Sequence, residues 1–152
     1  MLLEAKRIFK PECFDFTLET IGIYSNMDLL YKGCTILAEK CKKLMEDLKE
    51  QNVSLKKSDN STLDNEYILK LENEDYTLGN ILNYVLYKKY YEGEKVLTFV
   101  GFQKPHPHIP ESILRVALKD NADITTLQTI IMQTCEILVK FYHELRSNFK
   151  VE

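Results

Sequence analysis

The chain has 152 residues, of which 45% are hydrophobic and 28% charged, and this balance excludes both a disordered tail and a membrane protein. Its 20 Lys and Arg residues against 23 Asp and Glu residues give a net charge of −3, so it lacks the basic surface of a protein that binds nucleic acid by itself. The length fits one compact domain, or two very small domains that share a core.

The first half of the chain predicts a strand and then a long helix. Residues 14–20 (FDFTLET) alternate apolar and polar positions with period two, which is typical of a half-buried strand. Ser25 or Asn26 then offers a side-chain oxygen to the free N–H groups of a helix of roughly 24 residues. Apolar residues recur along that helix at spacings of 4, 3, 4, 3 and 4 and predict one narrow seam: Leu30, Cys34, Leu37, Cys41, Leu44 and Leu48.

The middle of the chain predicts a linker, three strands and one short helix. Residues 50–66 are polar and aperiodic, as linkers are. Thr77 is the predicted N-cap of the short helix. Residues 105–108 (PHPH) predict a loop, because each proline lacks the N–H group that a strand ladder needs. The strands are predicted at residues 67–72, 96–102 and 113–119.

A second long helix is predicted from about Asp123 to Phe149, with Thr125 and Gln128 at capping-box spacing. Its seam has the same 4, 3, 4, 3, 4 spacing as the first: Leu127, Ile131, Thr134, Leu138, Phe141 and Leu145. The two helices match at an offset of 101 residues, with Cys34 aligned on Cys135. Any two amphipathic helices align about this well, but the strand predicted before each helix favours a true repeat and packing across a pseudo-two-fold axis.

The remaining chemistry-bearing residues favour structural roles. The four cysteines lie among apolar residues without a C-x2-C pair, which predicts reduced, buried side chains. Cys34 and Cys41 are one heptad apart on the same helix, about 10 Å along its axis, and are too far apart to bridge. His106 and His108 form an H-x-H pair without a third ligand, so a role in a rigid interface loop is favoured over a metal site. We predict no active site and no cofactor, because no catalytic or cofactor motif is present.

Over half of the chain resembles one known family. Residues 74–80 (EDYTLGN), 96–101, 105–107 (PHP) and 113–116 (ILRV) follow one another in the order and spacing of the eleventh subunit of eukaryotic RNA polymerase II and its archaeal and bacterial alpha-like relatives. The resemblance extends over residues 67–149. Tyr76 stands where the family usually has His. Asn83 stands where the family often has a basic residue directly after the T-L-G-N-x-L motif.

The first half resembles a different polymerase subunit. Residues 14–22 and the following helix are similar to the closing strand and helix of the third-largest subunit, which pairs with the eleventh. The resemblance therefore implies three parts: a tail at 1–49, a linker at 50–66 and an eleventh-subunit-like domain at 67–152. Such fusions are known in large cytoplasmic DNA viruses, which implies a place in the host cytoplasm or the virion, or in the nucleus if the protein is cellular.

The predicted fold is α+β, with a mixed or antiparallel sheet backed by the two long heptad helices. The resemblance implies a non-catalytic assembly subunit of a DNA-directed RNA polymerase, whose partners are the two largest subunits, especially the second-largest, and other small subunits. The chain is expected to contact nucleic acid only indirectly, through that complex. The alternative is a free-standing α+β dimerisation or small-ligand-binding module unrelated to transcription.

Two sets of residues carry these roles. The dimer seam consists of the seam residues named above, apart from Thr134. By resemblance, a turn and a loop face the second-largest subunit, and their docking residues are Glu74, Asp75, Thr77, Leu78, Gly79, Asn80, Pro105, His106 and Pro107.

Overall fold

The computed structural model describes residues 10, 12–58, 62–119 and 123–149. Within these residues three α-helices pack against a four-stranded sheet, which confirms the α+β prediction, and every strand pair is antiparallel. The strand order is β1-β2-β4-β3. The elements are α1 (Asn26–Lys49), β1 (Leu55–Lys57), β2 (Glu66–Glu72), α2 (Tyr76–Leu86), β3 (Leu97–Gln103), β4 (Glu111–Leu118) and α3 (Ile124–Ser147). A π-helical segment, Tyr87–Gly93, continues α2.

One hydrophobic core joins the sheet to all three helices. Alternate residues of the central strands point into it, with Leu69 of β2 paired to Leu114 of β4. Leu44 and Leu48 of α1 belong to the same cluster of buried side chains as Ile131 of α3. The helix predicted as part of a tail is therefore packed into the core of the following domain. None of the helices in the described residues combines the length and hydropathy that a membrane span requires.

Helix α1 begins with a capping box at Ser25. The Ser25 hydroxyl oxygen accepts a hydrogen bond from the Asp28 backbone N–H at 3.1 Å, and the Asp28 carboxylate accepts one from the Ser25 backbone N–H at 3.3 Å. Both bonds satisfy N–H groups that the first turn of a helix otherwise leaves free. Of the two caps that the sequence offered, Ser25 is the one used, and the predicted length of about 24 residues is confirmed.

Helix α3 begins differently from its prediction. Its N-cap is Asp123, and Thr125 lies inside the first turn, where its backbone carbonyl accepts the Thr129 hydroxyl at 2.9 Å. No cap hydrogen bond from a side chain is found at this end of α3 within the described residues. The predicted capping box of Thr125 and Gln128 is therefore wrong, because the helix starts before the motif.

The two helix starts give a first testable prediction. Ser25→Ala removes a cap hydrogen bond and should lower the free energy of unfolding by about 1 kcal/mol. Thr125→Ala, at an exposed position that caps nothing, should change it by less than about 0.5 kcal/mol. Urea titration followed by circular dichroism measures both. Equal losses in the two variants would contradict the assignment of Ser25 as the cap.

Helices α1 and α3 pack antiparallel to each other. The start of α1 meets the end of α3, where the Arg146 guanidinium lies 5.0 Å from the ring centroid of Tyr31 and its Nη1 lies 3.4 Å from the Thr35 hydroxyl. Two antiparallel helices of 24 residues each are the arrangement that a pseudo-two-fold axis produces. Most of the predicted seam residues are buried: Cys34, Cys41, Leu44, Leu48, Leu127, Ile131, Thr134 and Leu138.

The predicted seam is incompletely buried, chiefly where the start of α1 meets the end of α3. Leu30 is 39% exposed and Phe141 is 53% exposed, while Leu37 and Leu145 are half-buried. An α-helix drifts by about 20° per heptad from a strict 3.5-residue repeat, so one straight face of a helix does not include every position of a heptad seam. Ala38 and Tyr142 occupy the buried face instead.

The predicted strand at residues 14–20 is not a strand in the described chain. Its apolar side chains are exposed to solvent, with Phe14 63% and Phe16 91% exposed. The alternation of apolar and polar residues predicts a strand with one apolar face. A strand must also form hydrogen bonds with a neighbouring strand, and none of the described strands pairs with this segment. The predicted repeat therefore loses the strand that was expected before its first helix.

The segment predicted as a linker contains a short strand. Leu55–Lys57 forms β1, which pairs antiparallel with β2 and places buried Leu55 opposite Leu69. Three residues are too few to show the alternating pattern of a strand. The sequence therefore predicts a polar loop here, although Leu55 is buried. Residues 1–9 and 11 of the predicted tail and residues 59–61 of the predicted linker lie outside the described residues.

Candidate functional site

Helix α2 begins at the turn that the sequence singled out. Its N-cap is Asp75, whose Oδ1 accepts a hydrogen bond from the Thr77 backbone N–H at 3.0 Å. The predicted cap, Thr77, is instead the second residue of the helix, and its side chain is exposed. Asp75 is the better cap at this position, because its carboxylate also interacts favourably with the positive end of the helix dipole.

The pKa of the Asp75 carboxyl group lies below the usual value for aspartate. The hydrogen bond from the Thr77 backbone N–H lowers the pKa of its carboxyl group, and the nearby Lys40 and Lys104 ammonium groups lower it further. The stabilising contribution of this carboxylate is therefore complete above its unfolded pKa of about 3.9 and is lost as the pH falls through the lower folded pKa.

Asp75→Asn tests this cap. Asparagine keeps a capping oxygen but does not titrate. Between about pH 4 and pH 2, the midpoint of thermal unfolding should fall more steeply for the unmodified chain than for the variant. Scanning calorimetry over that range measures the two slopes, and parallel curves would contradict the low pKa of Asp75.

Gly79 and Leu78 hold α2 against the sheet. Leu78 is 1% exposed, and a Cβ atom placed on Gly79 would overlap the ring carbons of Phe102 in β3. The same Phe102 ring meets Tyr76 edge to face, with ring centroids 5.9 Å apart. The absence of a side chain at position 79 therefore permits the close packing of the first turn of α2 on β3.

The proline-rich loop between β3 and β4 lies beside this turn. The Asn73 backbone N–H donates to the Pro110 carbonyl at 2.6 Å, and the Lys104 ammonium donates to the Ile109 carbonyl at 2.8 Å. The structure thus brings the two predicted docking segments together at one end of the molecule. Their exposed members are Asp75, Thr77, Asn80, Pro105, His106 and Pro107, which we call the docking surface. Leu78 and Gly79 are buried, and Glu74 is half-buried.

Helix α1 is tied to the docking surface by an ion pair. The Lys40 ammonium lies 2.6 Å from the Glu74 carboxylate, and both side chains are partly shielded from solvent. Lys40 lies off the predicted seam, and a contact between residues 34 positions apart leaves no local signal in the sequence. Beside this pair lies a cavity of about 270 Å³, lined largely by charged and polar side chains of α1 and β2, among them Lys43, Asp47 and Lys70. Sites for small organic ligands are typically larger and mostly apolar.

The histidine pair of the loop is held by its own backbone. The Nδ1 atom of His106 accepts a hydrogen bond from the His108 backbone N–H at 3.1 Å, and the two rings lie 5.3 Å apart. A metal-bound histidine usually donates its second ring N–H instead. Across the described ranges, no three His, Cys, Asp or Glu side chains are grouped as metal ligands would be.

A further group of large apolar side chains is exposed, and the predicted strand and seam had assigned five of them to buried faces: Phe14, Phe16, Leu18, Leu30 and Phe141. Phe14, Phe16, Leu18, Ile21 and Ile23 project from the segment before α1. The helices add exposed apolar residues of their own: Leu29, Leu30, Tyr31 and Ile36 from α1, and Ile137 and Phe141 from α3. We call these positions together the apolar surface.

An antiparallel sheet covered by α2 and a long C-terminal helix is the architecture of the alpha-like dimerisation fold of RNA polymerase subunits. The family model of the RNA polymerase Rpb3/Rpb11 dimerisation domain matches residues 66–148, just over half of the chain, and the chain belongs to this family. The match begins at β2 and ends directly after α3, so α1 lies outside it. It supports an alpha-like RNA polymerase assembly subunit, as the turn and loop motifs indicated. No curated protein matches the chain.

Proposed function

We propose that the chain is a non-catalytic scaffold of a DNA-directed RNA polymerase, which pairs alpha-like halves and docks the two largest subunits. The observation that carries this proposal is the exposed apolar surface on a chain of the Rpb3/Rpb11 family. Phe16 and Ile21 are more than 90% exposed, and a self-sufficient domain rarely leaves so many large apolar side chains in water. A scaffold covers such a surface when its partners bind.

The second-largest subunit binds at the docking surface. The Asp75 and Asn80 side chains offer polar groups there without a local net positive charge, and the prolines on both sides of His106 restrict the loop. A surface that is already rigid loses little conformational entropy on association. Such a surface suits a protein partner, and nucleic acid then meets the chain only through the complex.

The chain joins parts of two polymerase subunits. In its first part, up to residue 49, α1 acts as the closing helix of a third-largest-subunit-like half, and it packs on α3 as one pairing half would on the other. A large cytoplasmic DNA virus is the proposed source, with the host cytoplasm or the virion as the place of action. The identities of the proteins that copurify with the chain should also show whether its source is viral.

Affinity purification from the native cells tests the scaffold. The tagged chain is captured at moderate salt, and bound proteins are identified by mass spectrometry. Recovery of the two largest polymerase subunits is the expected result. Recovery of the chain alone, monodisperse in solution, would overturn the proposal in favour of a free-standing module.

A charge on the docking surface tests where the second-largest subunit binds. Asn80→Arg places a cation at an exposed position of α2 and should reduce recovery of that subunit by about tenfold or more. Asn148→Arg, the same substitution at the exposed end of α3, is the matched control and should leave recovery unchanged. Both variants should fold normally by circular dichroism. Full recovery with Asn80→Arg would exclude this surface as the binding site.

A further inference from the structure

The two edges of the sheet are protected to different degrees. The β1 edge is three residues long and carries Lys56 and Lys57, and short edge strands that bear lysine resist pairing with other chains. The β3 edge is seven residues long (LTFVGFQ) and contains neither a charged residue nor a proline. Two aromatic and two β-branched side chains give β3 a high strand propensity. An edge of this composition readily accepts a further strand.

Strand β3 is unpaired on its outer side within the described residues. It pairs only with β4, and no backbone hydrogen bond outside that ladder involves residues 97–103. Val100 and Phe102 pack against the core. Their partners on β4 are at most 1% exposed, whereas both of these side chains remain only half-buried. The apolar core therefore continues to the open edge of β3, where a further strand would cover it.

Residues 14–20 have the complementary properties. The segment is as long as β3, and no backbone hydrogen bond links it to another backbone group among the described residues. Its apolar side chains, Phe14, Phe16 and Leu18, share one side of an extended backbone and are 63%, 91% and 40% exposed. As a strand beside β3, the segment would extend the apolar face of the sheet with these three side chains and turn its polar residues to the other face.

The charges of the two segments favour this pairing over the pairing of like with like. Lys95 precedes β3 and Lys104 follows it, whereas residues 14–20 contain Asp15 and Glu19 and no cation. Like charges on neighbouring strands repel each other, and opposite charges attract. Two β3 edges would bring lysines together, and two copies of residues 14–20 would bring carboxylates together. One of each brings opposite charges together.

We propose that two copies of this chain exchange residues 14–20, so that each segment adds to the four-stranded sheet of the other copy as a fifth strand beside β3. Each copy donates one strand and accepts one, so the assembly closes as a dimer with two-fold symmetry. In strand addition of this kind, main-chain hydrogen bonds supply the affinity and alternate side chains supply the specificity. The pairing is separate from the contact between α1 and α3 inside the chain, and it uses none of the residues of the docking surface.

Size-exclusion chromatography with light scattering tests the dimer on the purified full-length chain. The unmodified chain should have the mass of two chains, against 17.8 kDa for one. Phe16→Lys places a cation among the apolar side chains of the exchanged strand and should raise the dissociation constant of the dimer by about tenfold or more. Dithiothreitol is present throughout, so that the exposed Cys13 cannot link two copies.

Ile21→Lys is the matched control. It makes the same change at a side chain that is 92% exposed but lies outside the exchanged segment, so this variant should dimerise like the unmodified chain. Because both positions are more than 90% exposed, both variants should fold normally by circular dichroism. A monomeric unmodified chain, or an equal loss of dimer in the two variants, would overturn the proposal.

Hydrogen exchange followed by mass spectrometry locates the pairing. Backbone amides of residues 14–20 and 97–103 should exchange more slowly in the unmodified chain than in Phe16→Lys, because both segments gain hydrogen-bond partners in the dimer. Amides of Leu55–Lys57, on the other edge, should exchange equally in both. If residues 97–103 gain no protection, the strand exchange is refuted, whatever other part of the chain is protected. No polymerase subunit takes part in either measurement, so their outcome is separate from that of the proposed function.

Discussion

Leu138→Asp should unfold the chain or bring it close to unfolding. Leu138 is 4% exposed on the face of α3 that packs into the common core with α1. A carboxylate there would be buried without a partner, at a cost of at least about 3 kcal/mol. Small domains have only about 5–15 kcal/mol of stability in total. Urea titration followed by circular dichroism measures the loss.

Phe141→Asp is the matched control for this prediction. It places the same carboxylate three residues further along α3, where the side chain is exposed. Its effect on the free energy of unfolding should stay within about 0.5 kcal/mol. Equal losses at the two positions would contradict the helix contact described above, and so would a Leu138→Asp chain as stable as the unmodified one.

Gly79→Ala should destabilise the chain although alanine is the better helix former. A methyl group at this position would overlap the Phe102 ring, which is itself packed against Tyr76 and the core. Overpacking of this kind costs about 1–3 kcal/mol, which outweighs the gain of about 1 kcal/mol in helix propensity. Thermal and urea unfolding measure the net loss.

Gly33→Ala separates the clash from the effect of the residue type. Gly33 lies inside α1, and apart from the adjoining residues and the backbone of its own helix no atom of the described residues lies within 4 Å of the position that its Cβ would take. This variant should therefore be more stable by about 0.5–1 kcal/mol.

Phe102→Leu combined with Gly79→Ala should cost less stability than the sum of the two single changes, because the smaller side chain makes room for the methyl group. A stabilising Gly79→Ala would refute the close approach.

The elements that the sequence predicted correctly are those with a local signal. Helix α1 shows its cap at Ser25 and its period over 24 residues, and β2 and β4 are bounded by turn residues. The turn at residues 74–80 and the loop at 105–107 were found from their motifs. Their placement side by side was not, because it depends on the register of β3 and β4 and on the bond from Asn73 to Pro110.

The two errors on strands have one physical cause, which is that a local pattern does not specify the partner with which a strand pairs. Residues 14–20 alternate like a strand but have no edge to pair with among the described strands, while β1 is a strand of three residues whose partner, β2, decides its state. The cap of α2 was assigned to Thr77, although Asp75, two residues earlier, makes the bond. A shift of two residues moves the cap without disturbing the hydrophobic period of the helix.

The sequence by itself determined the fold class, the two long helices and the family to which the chain belongs, because periodicity and motif spacing are properties of neighbouring residues. Only the tertiary structure decided which seam residues are buried and that Lys40 pairs with Glu74. These contacts join residues far apart in the chain. Their geometry follows from how α1 and α3 pack on each other, and that packing is set by the whole core at once.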